Sequence, residues 1–168
     1  MSTASDLEHS RDITGELDQF IAQIKVRYVD DTIPEIKRID DGDWLDLYAA
    51  EDVTLKAGEF KMISLGVAME LPDGCEAHLL PRSSTFKNFG IIQTNGMGIV
   101  DHTFCGNQNV WHLPSLAMRD THIPKGARIA QFRIIPTQFA SANVQIIKVD
   151  DLGNKDRGDS GSTGTGAL

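Results

Sequence analysis

Apolar residues in this chain come in short runs with strand periodicity, and no long stretch carries a helical repeat. In IAQIKVRYV, Ile24, Val26 and Tyr28 alternate with Lys25 and Arg27. An extended chain of that pattern has one apolar face and one charged face. EFKMISLGVAMEL, CEAHLLP, GIIQT, GIVDHTF, NVWHL, RIAQFRIIP and NVQIIKV read in the same way. Turn signals such as Pro72-Asp73-Gly74 and Pro124-Lys125-Gly126 separate several of them. Many short strands at regular spacing predict an all-β fold, a sandwich or barrel of Greek-key or jelly-roll type. One short helix is expected at SSTFKNFG, with Ser83 or Ser84 as its cap.

The 168 residues suffice for one domain with a proper core. Residues 1–18 are polar and weakly patterned and read as an N-terminal arm. A β domain is expected over 19–152, followed by a Gly/Ser-rich C-terminal arm over 153–168. The net charge of −8 argues against non-specific binding to nucleic acid, which draws its affinity from Lys and Arg on phosphates. A small anionic ligand remains open to such a chain if arginines or a metal ion are placed locally. Cys75 and Cys105 are too few for a disulfide framework and read as free thiols. With no apolar run of spanning length and no secretion signal, a cytoplasmic location is the default expectation.

Four segments could carry chemistry. In PRSSTFKNFG, Arg82 offers a planar fork of donors for phosphate oxygens, and Ser83 and Ser84 add hydroxyls. The plainer reading is a capped helix beside a surface arginine. In TNGMGIVDHTFCG, Gly96 and Gly98 let the backbone turn tightly or approach a ligand. Asp101, at the end of that strand, is a candidate general base on water, or a turn aspartate bonded to its own backbone. In PKGARIAQFRIIP, Arg128 and Gln131 face either a ligand or solvent. In DDGDWLDLYAAED, Asp40, Asp41 and Asp43 read best as an acidic loop, while Asp46 stands beside strand residues and is the candidate near a metal.

Other motifs fail. There is no GxxxxGK[ST] phosphate loop. His102, Cys105 and His112 fit no standard zinc spacing. The RGD at Arg157–Asp159 reads as coincidence in an acidic chain without a secretion signal.

Taken in order, these segments resemble the five motifs of the trimeric deoxyuridine triphosphatase (dUTPase) family: DLYAAED, PRSS, NGMGIVDHTFCG, KGARIAQF and RGDSGSTG. GDWLDLYAAED and PRSSTFKNFGIIQTN resemble a subgroup of Gram-positive bacteria and their phages. The resemblance implies a jelly-roll assembled as a homotrimer, with each active site shared between chains. It implies magnesium-dependent cleavage of dUTP to dUMP and pyrophosphate, which keeps uracil out of DNA and supplies dUMP for thymidylate. Asp101 matches the base that activates water for attack at the α-phosphorus. Asn95, Gly98 and the backbone up to Asp101 match the hairpin that reads uracil. Phe104 matches an aromatic position that packs on the deoxyribose. Arg82, Ser83, Ser84 and Gln131 match phosphate contacts, Arg128 matches the arginine of the fourth motif, and Asp46 matches the acidic residue near the magnesium and its waters. In the tail, Arg157 matches the γ-phosphate clamp, and Gly161, Ser162 and Thr163 the wrap around the phosphate chain.

The fifth motif here lacks its usual Phe, the ring that stacks on uracil. Trp111 and His112 are the candidates to cover the base in its place, with a core role as the alternative for Trp111. Phe104 stands where Tyr is commoner, Trp44 where the first motif often has Gly, and Cys105 where a polar or basic residue is usual. The nearest rival, dCTP deaminase, shares the fold but needs a glutamate where the alignment puts Trp111, and a Trp cannot act as an acid or base. A different class is a nucleotide-sensing regulatory binding protein with a protein partner, as proposed for phage members of the family; the N-terminal arm is the segment open to such a role.

Overall fold

A computed structural model describes residues 23–38, 42–142 and 144–149. The N-terminal arm over 1–18 lies outside the described residues, as do Asp40, Asp41, Arg157, Gly161, Ser162 and Thr163. In chain order the strands are β1 (Lys25–Tyr28), β2 (Leu45–Tyr48), β3 (Val53–Leu55), β4 (Phe60–Glu70) and β5 (Cys75–Pro81). Helix α1 (Thr85–Phe89) precedes β6 (Ile91–Gln93), β7 (Gly98–Asp101), β8 (Val110–Ala117), β9 (Thr121–Ile123) and β10 (Arg128–Pro136). Helix α2 (Gln138–Ser141) follows.

The strands form two antiparallel four-stranded sheets, ordered β1-β4-β8-β6 and β2-β10-β5-β7, with β3 and β9 as a small third ribbon. The expected all-β sandwich of jelly-roll kind is what forms. Period-two patterning decides which faces meet. Along β8, Trp111, Leu113, Ser115 and Ala117 are buried while the residues between them are half-buried. Ile63, Leu65 and Val67 of β4 face Ala77 and Leu79 of β5 and Ile129 and Phe132 of β10 in one core. The rings of Trp111 and Phe132 join the sheets edge to face, with centroids 5.4 Å apart.

In β4 the register against β8 shifts between Ser64 and Ala68. Gly66 sits in that irregularity with φ +68°, and a Cβ there would meet Ile33 Cδ1 at 2.6 Å and Ala50 Cβ at 2.8 Å. Both the left-handed backbone and the close approach require glycine.

Three local expectations are corrected. The helix at SSTFKNFG forms and ends on Gly90 in the left-handed region, but Ser84 at its N-cap makes no side-chain capping bond. The buried Thr85 holds the helix instead, donating its hydroxyl to the Ile129 carbonyl at 2.8 Å. A second helix, α2, was not expected; Thr137 caps it by accepting from Ala140 N. The run NVQIIKV has strand composition, yet Val144–Val149 pairs with no strand among the described residues, and Ile146 and Ile147 are 93% and 73% exposed. A strand needs a partner for its backbone groups, and composition alone supplies none. Both cysteines are free thiols, Cys75 buried and Cys105 exposed, and burial pushes the Cys75 thiol pKa up.

Candidate active site

The connection from β6 to β7 crosses from one sheet to the other, because β6 pairs with β8 and β7 pairs with β5. Asn95 lies exposed in that connection. Gly96 turns the chain with φ +70°, Met97 N donates to the Asn95 carbonyl at 2.8 Å, and Thr94 N donates to the Pro114 carbonyl at 2.9 Å. Gly98 begins β7 in a buried position, where a Cβ would stand 3.1 Å from Leu79 Cβ. A cleft of about 280 Å³ opens beside it, lined by Asn95, Gly98, Asp101, Phe104 and His112, with Met62 and Pro114 as apolar walls.

Asp101 ends β7, an edge strand, and its carboxylate is exposed. One oxygen, Oδ1, accepts from Thr103 N at 2.8 Å and from the Thr103 hydroxyl. These bonds stabilise the charged form, so the Thr103 hydroxyl first and then its backbone N–H hold the Asp101 pKa below the usual carboxylate value. The other oxygen, Oδ2, has no hydrogen-bond partner among the described residues. Asp101 thus bonds the local chain as a turn aspartate does, through one oxygen only among the described residues. Thr103 was not singled out from sequence, although an Asp followed two residues later by Thr is a usual signal of such a turn.

His112 also faces the cleft. Its Nδ1 lies 2.8 Å from the Val110 carbonyl, which can only accept, so Nδ1 carries the hydrogen. Trp111 does not face the cleft. Trp111 is 2% exposed and its ring packs on Phe132, so it belongs to the core and is not available to cover a ligand. Strand alternation is the cause, since neighbours in β8 point to opposite faces.

A second polar cluster gathers on the sheet that carries Asp101, toward β2 and β10. Asp46 of β2 stands opposite Gln131 of β10 in register. Asp46 Oδ1 forms an ion pair with Arg82 Nε at 2.7 Å, and Oδ2 accepts from Arg128 Nη1 at 3.2 Å. Gln131 Nε2 donates to the Pro81 carbonyl at 3.3 Å, beside Arg82. Ser83 and Ser84 lie in the turn between Arg82 and α1, closed by Thr85 N donating to the Arg82 carbonyl at 3.0 Å. Trp44 is occupied nearby, with the Arg133 guanidinium 5.3 Å from its ring centre. Asp43 is an exposed loop residue, as expected.

Both oxygens of Asp46 are taken by guanidinium groups. Among the described residues no three His, Cys, Asp or Glu side chains gather to hold an ion. This donor set does not fit a resident metal held directly by protein ligands.

The cleft and the cluster are apart within one chain. Asp101 pairs with Glu76 near the start of β5, and Arg82 directly follows its end. From Glu76 to Arg82 is six residues, about 20 Å at ~3.3 Å per strand residue.

A family model described as dUTPase matches residues 32–166. The chain belongs to the dUTPase family. It is 57% identical over 143 residues to an SPbeta prophage-derived deoxyuridine 5'-triphosphate nucleotidohydrolase of Bacillus subtilis strain 168, covering 85% of this chain and 99% of that one. The fold is similar to that of a Staphylococcus bacteriophage 80alpha dUTPase variant solved with dUpNHpp, at TM-score 0.70 and 18% identity over 86% of this chain and 98% of that one. It is also similar to the dUTPase of phage phi11 of S. aureus, at TM-score 0.64 and 18% identity over 77% of this chain and 98% of that one. That structure is described as revealing the coordination of a structural Mg(II) ion. Within this dUTPase family assignment, the motif segments containing Asp46, Arg82, Asp101 and Arg128 all lie inside the matched region.

Proposed function

We propose that this chain hydrolyses dUTP to dUMP and pyrophosphate, with Asp101 as the base. The observation that carries the reading is the setting of Asp101: exposed in a cleft beside Asn95, Gly98 and Phe104, its pKa held down by Thr103, and its Oδ2 without a partner among the described residues. A water held at Asp101 Oδ2 loses its proton to that oxygen as its own oxygen attacks the α-phosphorus. The bond from the α-phosphorus to the bridging oxygen breaks, and pyrophosphate leaves. Asn95 and the backbone of the β6–β7 connection read the base, and the Phe104 ring packs on the sugar.

The triphosphate is bound by the second cluster. With its Nε paired to Asp46 and its two Nη nitrogens without a partner among the described residues, Arg82 offers donors to phosphate oxygens, and Ser83, Ser84 and Gln131 add more. Magnesium enters with the triphosphate as part of the substrate, and Asp46 reaches it through water at most. Because about 20 Å of β5 separates Asp101 from Arg82, the cluster completing a site comes from another copy of the chain. The homotrimer of the family meets that need, and the exposed Ile146 and Ile147 are suited to burial in such an assembly. The tail with Arg157, Gly161, Ser162 and Thr163 closes over the phosphates. In the cell the product dUMP feeds thymidylate synthesis, and removal of dUTP keeps uracil out of DNA.

The test is pyrophosphate release from dUTP, dCTP, dTTP and UTP, with and without magnesium, run beside Asp101→Asn. Release from dUTP alone, lost in the variant, is expected. Deamination of dCTP, or binding of dUTP without turnover, would overturn the reading.

A further inference from the structure

We infer that Gln93 is a positioning residue that fixes which end of the Asn95 amide faces the cleft, and so favours a pyrimidine with an acceptor at C4 over one with a donor there. The inference rests on the proposed function of the cleft. It starts from an atom whose role is unambiguous. A backbone carbonyl can only accept, and Gln93 Nε2 lies 3.3 Å from the Leu79 carbonyl oxygen. The nitrogen of the Gln93 amide must therefore be on that side. The same Nε2 lies 2.7 Å from Asn95, so Asn95 presents its oxygen, Oδ1, to Gln93. Its Nδ2 group is then the part of the amide left to meet a ligand.

The relay spans the molecule's two layers. Gln93 ends β6 in one sheet, Leu79 belongs to β5 in the other, and Asn95 lies in the connection between them. Gly98 makes room for it: a Cβ there would stand 3.1 Å from Leu79 Cβ and 3.5 Å from Gln93 Nε2. The arrangement leaves Gln93 Oε1 buried and without a hydrogen-bond partner among the described residues. Turning the amide over would set that oxygen against the Leu79 carbonyl, acceptor against acceptor. The geometry thus accepts one unpaired acceptor to keep the amide in a single orientation.

Uracil and cytosine differ in what such an amide meets. Where uracil carries a carbonyl at C4, cytosine carries an amino group, and the N3 position changes from donor to acceptor. An Asn95 held with Nδ2 outward donates to the carbonyl and opposes the amino group. A free Asn95 turns over to suit either base.

The test compares kcat/KM for pyrophosphate release from dUTP and dCTP in the full chain, Gln93→Glu and Gln93→Met, with thermal melts of each. Inhibition constants of dUMP and dCMP replace the rates where dCTP turnover is below detection. In Gln93→Glu neither oxygen can donate, so Asn95 must turn its Nδ2 toward the new carboxylate. The dUTP preference is expected to fall by about tenfold or more, through KM for dUTP, with kcat largely kept. Should Gln93→Glu fail to fold, Gln93→Met, which has neither donor nor acceptor of comparable strength, is expected to lower the preference as well. An equal loss on both substrates, with the preference unchanged, would show a purely structural residue and overturn the inference. A wild-type chain that does not hydrolyse dUTP would instead overturn the proposed function, and this inference with it.

Discussion

Arg82 Nε and Asp46 Oδ1 meet at 2.7 Å, although β10 lies between β2 and β5, the strands that carry or end at them. The Asp46 side chain is 14% exposed and that of Arg82 26%, so the pair is mostly out of water. Replacing Asp46 by Ala leaves two guanidinium groups facing each other without the carboxylate between them. We expect Asp46→Ala to lose ~1–3 kcal/mol of stability and to raise KM for dUTP, because Arg82 is no longer aimed. Urea unfolding and steady-state kinetics check the two effects separately; an unchanged KM would remove Asp46 from phosphate binding.

Asp101→Asn keeps the shape that accepts from Thr103 but removes the proposed base. A fall in kcat of about 10²–10⁴ is expected, with KM for dUTP little changed. Stopped assays of pyrophosphate release measure it. A variant with wild-type kcat would mean that Asp101 is not the proton acceptor.

Thr103→Val removes the hydroxyl that contributes most to the lowered Asp101 pKa. The Asp101 pKa should then rise toward its ordinary value. Activity that needs ionised Asp101 is lost as pH falls through that pKa, so the acid limb of kcat/KM should move to higher pH in the variant. The pH profiles of the two proteins show this directly, and coincident limbs would count against the assignment.

Asp30 gives a pH effect on stability instead. The hydrogen bond from Lys125, then those from Thr32, lower its pKa from 3.8 to about 2. A depressed carboxylate contributes stability above its unfolded pKa and loses it as pH falls through the folded one. Lys125→Met should therefore lower the urea midpoint at neutral pH, with the difference from wild type shrinking between pH 3.8 and about 2. A difference independent of pH would assign the loss to packing.

Trp111→Ala opens a cavity against Phe132 and should cost ~3–5 kcal/mol. Trp111→Phe should cost far less, since it keeps a ring there and removes an indole N–H that has no partner among the described residues. If Trp111→Phe instead raised KM for dUTP at unchanged stability, the ring would be reaching the ligand after all.

Much of this molecule was local enough to read in its sequence. Alternation in IAQIKVRYV and NVWHL set the strand faces, because period two places a side chain on one face or the other whatever it packs against, whereas in RIAQFRIIP a register shift buries Ile129 and Ala130 side by side. The three-residue strands β3 and β9 are too short to show a period and were not legible. The motif segments singled out Asp46, Arg82, Asn95, Asp101 and Phe104 through their resemblance to the family's motifs, and the structure sets the first two in one cluster and the last three along one cleft. What only the tertiary structure decided was non-local. Pairing brought Asp46 against Arg82 and Arg128, and the crossing between sheets brought Gln93 onto Asn95 and Leu79. The same pairing sent Trp111 inward and His112 to the cleft, and left NVQIIKV without a partner strand among the described residues. Hydrogen bonds and packing between distant segments depend on register and on which strands are neighbours, and neither is written in a run of residues taken alone.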